Sequence, residues 1–541
     1  MSSLPRSLTR WAIPSLFAAA GTVMACYPIL FSGFARMQND PEDTRLIHYM
    51  LEHDYLWLVR APLHRDLWSP PIFYPEANTA AYTELTLGLL PLYAPWRAVG
   101  LAPDTAFQSW ILTSLLLNFA AIYFFLRRCL AVRPVAACFG SFLFAFGSPR
   151  LNQLNHQFML PQFFTVLAVF AVWRLFQIHA TNENHHRCVA WIAALASSVA
   201  AQIYATYALG WFLCFALLIA FALAMAMRST RGQIASVLRA HWRAIALIAA
   251  VAAAALTPLG LHYLEAARAV GFRQFWEAEG MLPRFQSWFY MGEENWLYGW
   301  TAGRGSFAYL PVEWEQRLGL GLVTTAVVGW ALIRERHRPG IRILIGTWLA
   351  ILLTATMYRW GFSPWKWIFE LVPGANGIRA VARIGILALI PASIGLALFA
   401  DRRREPKWKA LAFSLSAFCL LEQGRRSLSY DKQTVRTAVS RVAARIDPAC
   451  RAFFCVCQDD RAADECQLDG MWAGLQAKLP TVNGTSGNTP ARFEALSENK
   501  TRTEADEARL KAALETWLRA HRKEGLNVCW VEASVQSPSD R

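Results

Sequence analysis

Residues 39–44 read N-D-P-E-D-T, so three carboxylates, Asp40, Glu42 and Asp43, fall within four positions. A carboxylate held at a membrane face can take a proton from a sugar hydroxyl. It can also support a divalent cation such as Mg²⁺ or Mn²⁺. The same residues suit a helix start, with Asp40 as N-cap, Pro41 at the first helical position and acids facing the positive end of the dipole. The two uses are compatible, because a capping carboxylate is already held in place.

Further candidates lie far along the chain. Arg379 and Arg383 are four apart, which on a helix puts both on one face. A guanidinium grips a phosphate through two parallel hydrogen bonds, although snorkelling at a bilayer edge would account for the same pair. Arg150 and His156 sit between two apolar runs, where His156 is suited to orient an acceptor or a phosphate. A lone histidine is more often a structural hydrogen-bonding residue. Glu293, Glu294 and Glu313 offer oxygens for sugar hydroxyls or a cation, although loop acids are usually solvated. Trp288, Tyr290, Trp296, Tyr298 and Trp300 offer flat faces for a sugar ring, or belong to an interfacial aromatic belt.

The elements that must position these groups are apolar. Of 541 residues, 55% are hydrophobic and 17% charged, against roughly 25% charged in a soluble protein. Runs near 20 apolar residues mark membrane spans. Eleven are expected, near 11–33, 107–126, 134–147, 158–177, two within 188–227, then 244–263, 317–333, 343–357, 381–400 and 409–422. Basic residues collect in the short connections, among them Arg127, Arg128, Arg231, Arg239, Arg334, Arg338 and the run Arg402, Arg403, Arg404. By the positive-inside rule those connections are cytoplasmic. The N-terminus is then inside, the first span is uncleaved, and the loops 34–106, 148–157, 264–316 and 358–380 and the tail face outward. The net charge of +15 follows the same pattern and gives no ground for nucleic-acid binding. The apolar stretch 84–101 is expected to lie in the interface or re-enter, broken by Pro91 and Pro95.

The division expected is a membrane domain over 1–422 and a small soluble α/β domain over 423–541. The tail holds Cys450, Cys455, Cys457, Cys466 and Cys529. Outside the cytoplasm disulfides are permitted, five thiols leave at least one unpaired, and spacing does not give the pairing. Their C-x4-C-x-C-x8-C spacing is unusual for a metal site. No phosphate-cradling loop, G-x-S-x-G, H-E-x-x-H or dinucleotide fingerprint occurs, so a cytoplasmic nucleotide-sugar site has no support.

One span, an outer loop opening with acid, interfacial helices and a span ending in Arg127 and Arg128 together resemble the GT-C superfamily of polytopic glycosyltransferases. The strings N-D-P-E-D-T, I-F-Y-P-E-A-N-T at 72–79, F-A-F-G-S-P-R at 144–150, E-N-W-L-Y-G-W at 294–300 and P-G-A-N-G-I-R-A-V-A-R at 373–383 are similar to a bacterial group with such a core. There G-D-P opens the loop, and here Asn39 replaces the Gly. The resemblance covers about 1–400. It implies an all-α polytopic fold, in a bacterial inner membrane, that moves a sugar from a polyprenyl-phosphate donor to a glycan, lipid or protein acceptor on the extracytoplasmic face. It implies Asp40 as general base or metal support, with Glu42 and Asp43 beside it. Arg379, Arg383, His156, Arg150, Tyr74, Glu294 and Glu313 then serve as substrate-binding candidates. Two other functions stay open: a transporter or flippase, which would carry mid-span charges and repeated halves, and a non-catalytic envelope scaffold.

Overall fold

Apolar periodicity becomes helix along most of the chain. The computed structural model describes residues 6–177, 185–402 and 406–533. In order come α1 (Arg6–Phe31), β1 (Arg36–Gln38), α2 (Asp43–Leu58), α3 (Leu90–Ala98), α4 (Pro103–Cys129), α5 (Pro134–Phe146), α6 (Phe163–Gln177), α7 (His185–Ala205), α8 (Tyr207–Ala226) and α9 (Arg228–Val270). They are followed by α10 (Leu322–Arg334), α11 (Pro339–Ala355), α12 (Leu389–Asp401) and α13 (Pro406–Leu421). The tail contains β2 (Ser429–Asp431), α14 (Lys432–Ala444), β3 (Ala452–Cys457), α15 (Ala463–Ala477), α16 (Glu504–Ala520) and β4 (Val528–Ala533).

Each of the eleven apolar stretches coincides with one of these helices. Among the described residues, seven helices are long and apolar enough to cross a membrane, and α10, α11 and the Trp408–Leu421 part of α13 are shorter apolar helices. Arg403 and Arg404 lie outside the described residues. With 13 residues, α5 is only about 20 Å long, short of the roughly 30 Å hydrocarbon core. It is wrapped by α1, α4 and α12 and buried from Ala136 to Phe146. Close approach needs a small residue here, since a Cβ on Gly140 would lie 2.6 Å from the Ser393 carbonyl oxygen of α12. The run ending in α12 enters it through a 3₁₀ stretch, Val381–Ala388.

Stretch 84–101 forms a short 3₁₀ turn and then α3, nine residues or about 14 Å long, too short to span. Pro91 sits in the first turn and Pro95 lies inside the helix, so the prolines shape α3 and do not break it.

The tail does not stand apart. Its β2 pairs antiparallel with β1, Arg36 opposite Asp431. Strands β3 and β4 pair in parallel, and all six residues of β3 are buried, as expected for a covered parallel sheet. One apolar cluster draws on both parts: Leu46, Tyr49 and Met50 of α2 and Phe73 of the following loop pack with Phe454, Met471 and Trp517 of the tail. Arg45 and Asp469 form a buried ion pair at 2.7 Å across the same contact. Disulfides join Cys450 to Cys529 and Cys457 to Cys466 and leave Cys455 as a buried thiol. Four of the five cysteines are thereby withdrawn from any metal site.

Candidate functional site

Asp40 organises the turn ahead of α2. Its Oδ1 accepts the backbone amides of Glu42 at 3.0 Å and Asp43 at 2.9 Å, and its Oδ2 accepts from Asn39 Nδ2 at 3.1 Å. The side-chain bonds make a turn of their own, so the first helical residue is Asp43 and not Pro41. The helix starts later than the sequence suggests, while Asp40 keeps its capping contacts. Asn39 adopts φ +71°, a conformation asparagine tolerates.

The late start aims Asp43 at a cluster drawn from three other segments. Asp43 Oδ2 lies 3.2 Å from His156 Nε2. The same nitrogen lies 2.8 Å from Arg383 Nη2, and Arg383 Nη2 donates to Glu315 Oε1 at 2.6 Å. Gln153 closes the ring: its Oε1 lies 3.1 Å from His156 Nδ1 and its Nε2 donates to Glu315 Oε2 at 3.4 Å. Because the Gln153 amide nitrogen is turned to Glu315, its oxygen faces the imidazole and holds a proton on Nδ1. In the neutral ring Nε2 then accepts from Arg383. In the imidazolium it donates to Asp43. His156 therefore changes partner with its charge.

The acids are tuned apart. Burial, then the Asp43 charge, pushes the Asp40 carboxyl up. Burial also pushes Asp43 up, but the hydrogen bond and charge of His156 and the charge of Arg383 outweigh it and leave Asp43 below its ordinary value. The Glu42 carboxyl is raised by partial desolvation and by the neighbouring Asp464. Glu315 is 2% exposed, and Arg383 overrides its burial to bring it down to about 2. Carboxyls pushed in opposite directions are suited to different roles, the higher one as proton acceptor and the lower one as a fixed charge.

A second knot lies beside the first. Arg317 meets Glu294 at 2.5 Å, Glu313 at 2.6 Å and Glu293 at 3.7 Å. Arg425 approaches Glu294 at 4.0 Å and donates to Asn152 Oδ1 at 2.8 Å, one residue from Gln153. Glu294 and Glu313 thus hold an arginine.

The remaining sequence candidates do not converge on the cluster. Arg150 is fully buried, with Nε on the Phe144 carbonyl at 3.1 Å, Nη1 on the Leu160 carbonyl at 2.7 Å and Nη2 on Gln162 at 2.5 Å. It staples the turn between α5 and α6 and is spent on that. Arg379 does not share a helix face with Arg383, because the 3₁₀ stretch begins at Val381 and Arg379 stays exposed in the bend before it. Tyr74 gives its amide to Thr481 and its carbonyl to Trp517 Nε1, both in the tail. Trp288 donates to Thr356, Tyr290 stacks on Phe307, and Trp296 and Trp300 are exposed. Reading the sequence missed Glu315, Gln153 and Glu84. Glu84 accepts the Tyr207 amide at 2.8 Å, opening α8, and feels the Arg383 charge. An arginine at the head of a buried helix demands a buried acid, and that signal points to Glu315.

Asp40, Glu42 and Asp43 supply the oxygens that would face a cation at this turn. Among the described residues no three of His, Cys, Asp or Glu gather as ligands. Asp40 Oδ1 is taken by two amides and Asp43 Oδ2 faces His156.

Bilayer-length apolar helices beneath an acid-opened loop make this a multi-pass membrane protein, and its fold is similar to that of solved archaeal oligosaccharyltransferases. In particular, it is similar to the Archaeoglobus fulgidus oligosaccharyltransferase solved with Zn and sulfate, at TM-score 0.54 and 13% identity over 94% of this chain and 67% of that one. It is similar to the oligosaccharyltransferase AglB of the same organism, solved with an inhibitory peptide and a dolichol-phosphate, at TM-score 0.56 and 13% identity over 95% and 69%. The mycobacterial arabinofuranosyltransferase AftD aligns at TM-score 0.49 and 15% identity over 90% of this chain and 32% of its own. No protein-family model and no curated protein matches the sequence.

Proposed function

We propose that the protein moves a sugar from a polyprenyl-phosphate donor to an acceptor on the extracytoplasmic face of a bacterial inner membrane. The supporting observation is the convergence of Asp43, His156, Arg383 and Glu315, from four distant segments, beside the raised carboxyl of Asp40. Asp40 takes the proton of the acceptor hydroxyl as its oxygen attacks the anomeric carbon, and the bond to phosphate breaks. Arg383 and His156 balance the charge left on the phosphate. Asp43 stays ionised and orients the imidazole. In this reading the N-terminus is cytoplasmic, the chain crosses eleven times, and the cluster lies outside together with the tail domain of 423–541. Exposed Arg379 stands at the same end, where a lipid phosphate would approach.

Asp40→Asn keeps the shape and removes the base. The glycan product in membranes of cells expressing it is expected to vanish, with the chain present at wild-type level. Unchanged product would end the transferase reading and favour a scaffold.

A further inference from the structure

A cleft of about 470 Å³ opens on the other side of α2 from the acid cluster. Arg45, His48, Glu52 and Leu56 line it. At about 100° per residue these positions point roughly opposite to Asp43. The facing wall is Asp104 at the head of α4, Lys432 and Arg436 of α14, and the rings of Tyr430 and Trp472.

The wall neutralises its own charges. Asp104 meets Arg436 at 2.6 Å and Lys432 at 3.7 Å, Glu52 meets Arg97 at 2.8 Å, and Arg45 meets Asp469 at 2.7 Å. A phosphate would find no unshared cation here and would face two carboxylates. What the lining leaves unmet is different. Arg45, 3% exposed, has an Nε–H with no acceptor, and His48, 5% exposed, has an Nε2 with no partner. Burial pushes His48 down to about 3, so the ring is neutral. Its other nitrogen faces the Pro103 carbonyl, which keeps the proton there and leaves Nε2 an acceptor. The unmet groups are therefore one donor and one acceptor, a mixed pair that hydroxyl groups can satisfy and that acceptor-only phosphate oxygens cannot. Trp472 packs against His48 at 4.4 Å and gives the cleft an aromatic wall.

We propose that this cleft binds a hexopyranose-based saccharide, a stretch of the acceptor glycan away from its reacting end. The acceptor assignment rests on the transferase reading; the binding itself does not. Saturation-transfer NMR on the full chain in detergent tests it with maltotriose, mannotriose and galactotriose, and with inorganic phosphate as competitor. At least one trisaccharide is expected to bind, undisturbed by phosphate. His48→Phe keeps the ring stack and removes the acceptor, and is expected to weaken binding roughly tenfold. Ser440→Trp, from an exposed position on the cleft rim, is expected to abolish it by filling the space. Asp40→Asn should bind like the wild type. No binding by any of the three sugars, displacement by phosphate, or full binding in both cleft variants would overturn the proposal. The transferase reading would survive any of these, just as sugar binding would survive an Asp40→Asn protein that still makes product.

Discussion

Glu313 and Glu315 sit two residues apart on one 3₁₀ turn and serve two different arginines. Around Arg317 three carboxylates crowd one cation, two of them at 2.5 and 2.6 Å and the exposed Glu293 at 3.7 Å. Around Arg383 one carboxylate meets the cation, an imidazole shares it, and Asp43 waits on that imidazole's other allegiance. The first arrangement is closed. The second leaves one imidazole nitrogen shared between a cation and an acid.

Breaking the two knots should separate them. Asp40→Asn is expected to lower product formation by about 10²- to 10⁴-fold, the usual worth of a general base, whereas Glu313→Gln should leave it within about twofold. Arg383→Ala strands Glu315 as a buried unpaired acid. It is expected to cost roughly 3–5 kcal/mol, read as a lower thermal midpoint in detergent. Glu315 lies at about 2 when folded, against 4.5 for a free glutamate carboxyl. Its stabilisation is present above pH 4.5 and is lost as pH falls toward 2, up to about 3 kcal/mol. Acid titration of the thermal midpoint should show that loss, and Glu315→Gln should flatten it. At the other knot, Glu313→Gln leaves Glu294 on Arg317 and should cost about 1 kcal/mol or less. Arg379→Ala, at an exposed bend, should change stability by under about 0.5 kcal/mol. Equal losses from Glu313→Gln and Arg383→Ala would erase the contrast.

Much of the bundle was legible, because bilayer-length apolar runs have few alternatives to helix. The acid opening, His156 and Arg383 stood out in the sequence as candidates, since charge beside apolar spans is conspicuous, and the fold brings them together. Arg150 looked equally exposed to chemistry on paper. Its fate depended on which carbonyls the α5–α6 turn would leave open, and no spacing records that. The Arg379–Arg383 pairing failed because it assumed an α-helix where a 3₁₀ stretch begins between them. Glu315 was passed over for Glu313, though two residues on a tight turn diverge by about 120° and only the fold decides which one turns inward. The shared core of α2 and the tail was hidden for the same reason: contacts between residues near 46 and near 471 leave no periodic trace.

The pairing of β1 with β2 joins residues 393 apart, at the exits of the first and last apolar helices. The ribosome releases Asp40 and its neighbours long before Ser429 exists. The strand that leads into this turn therefore gains its partner only after α13 has been delivered to the bilayer. A nascent chain halted before that helix would carry the acid-opened turn with its leading strand unpaired.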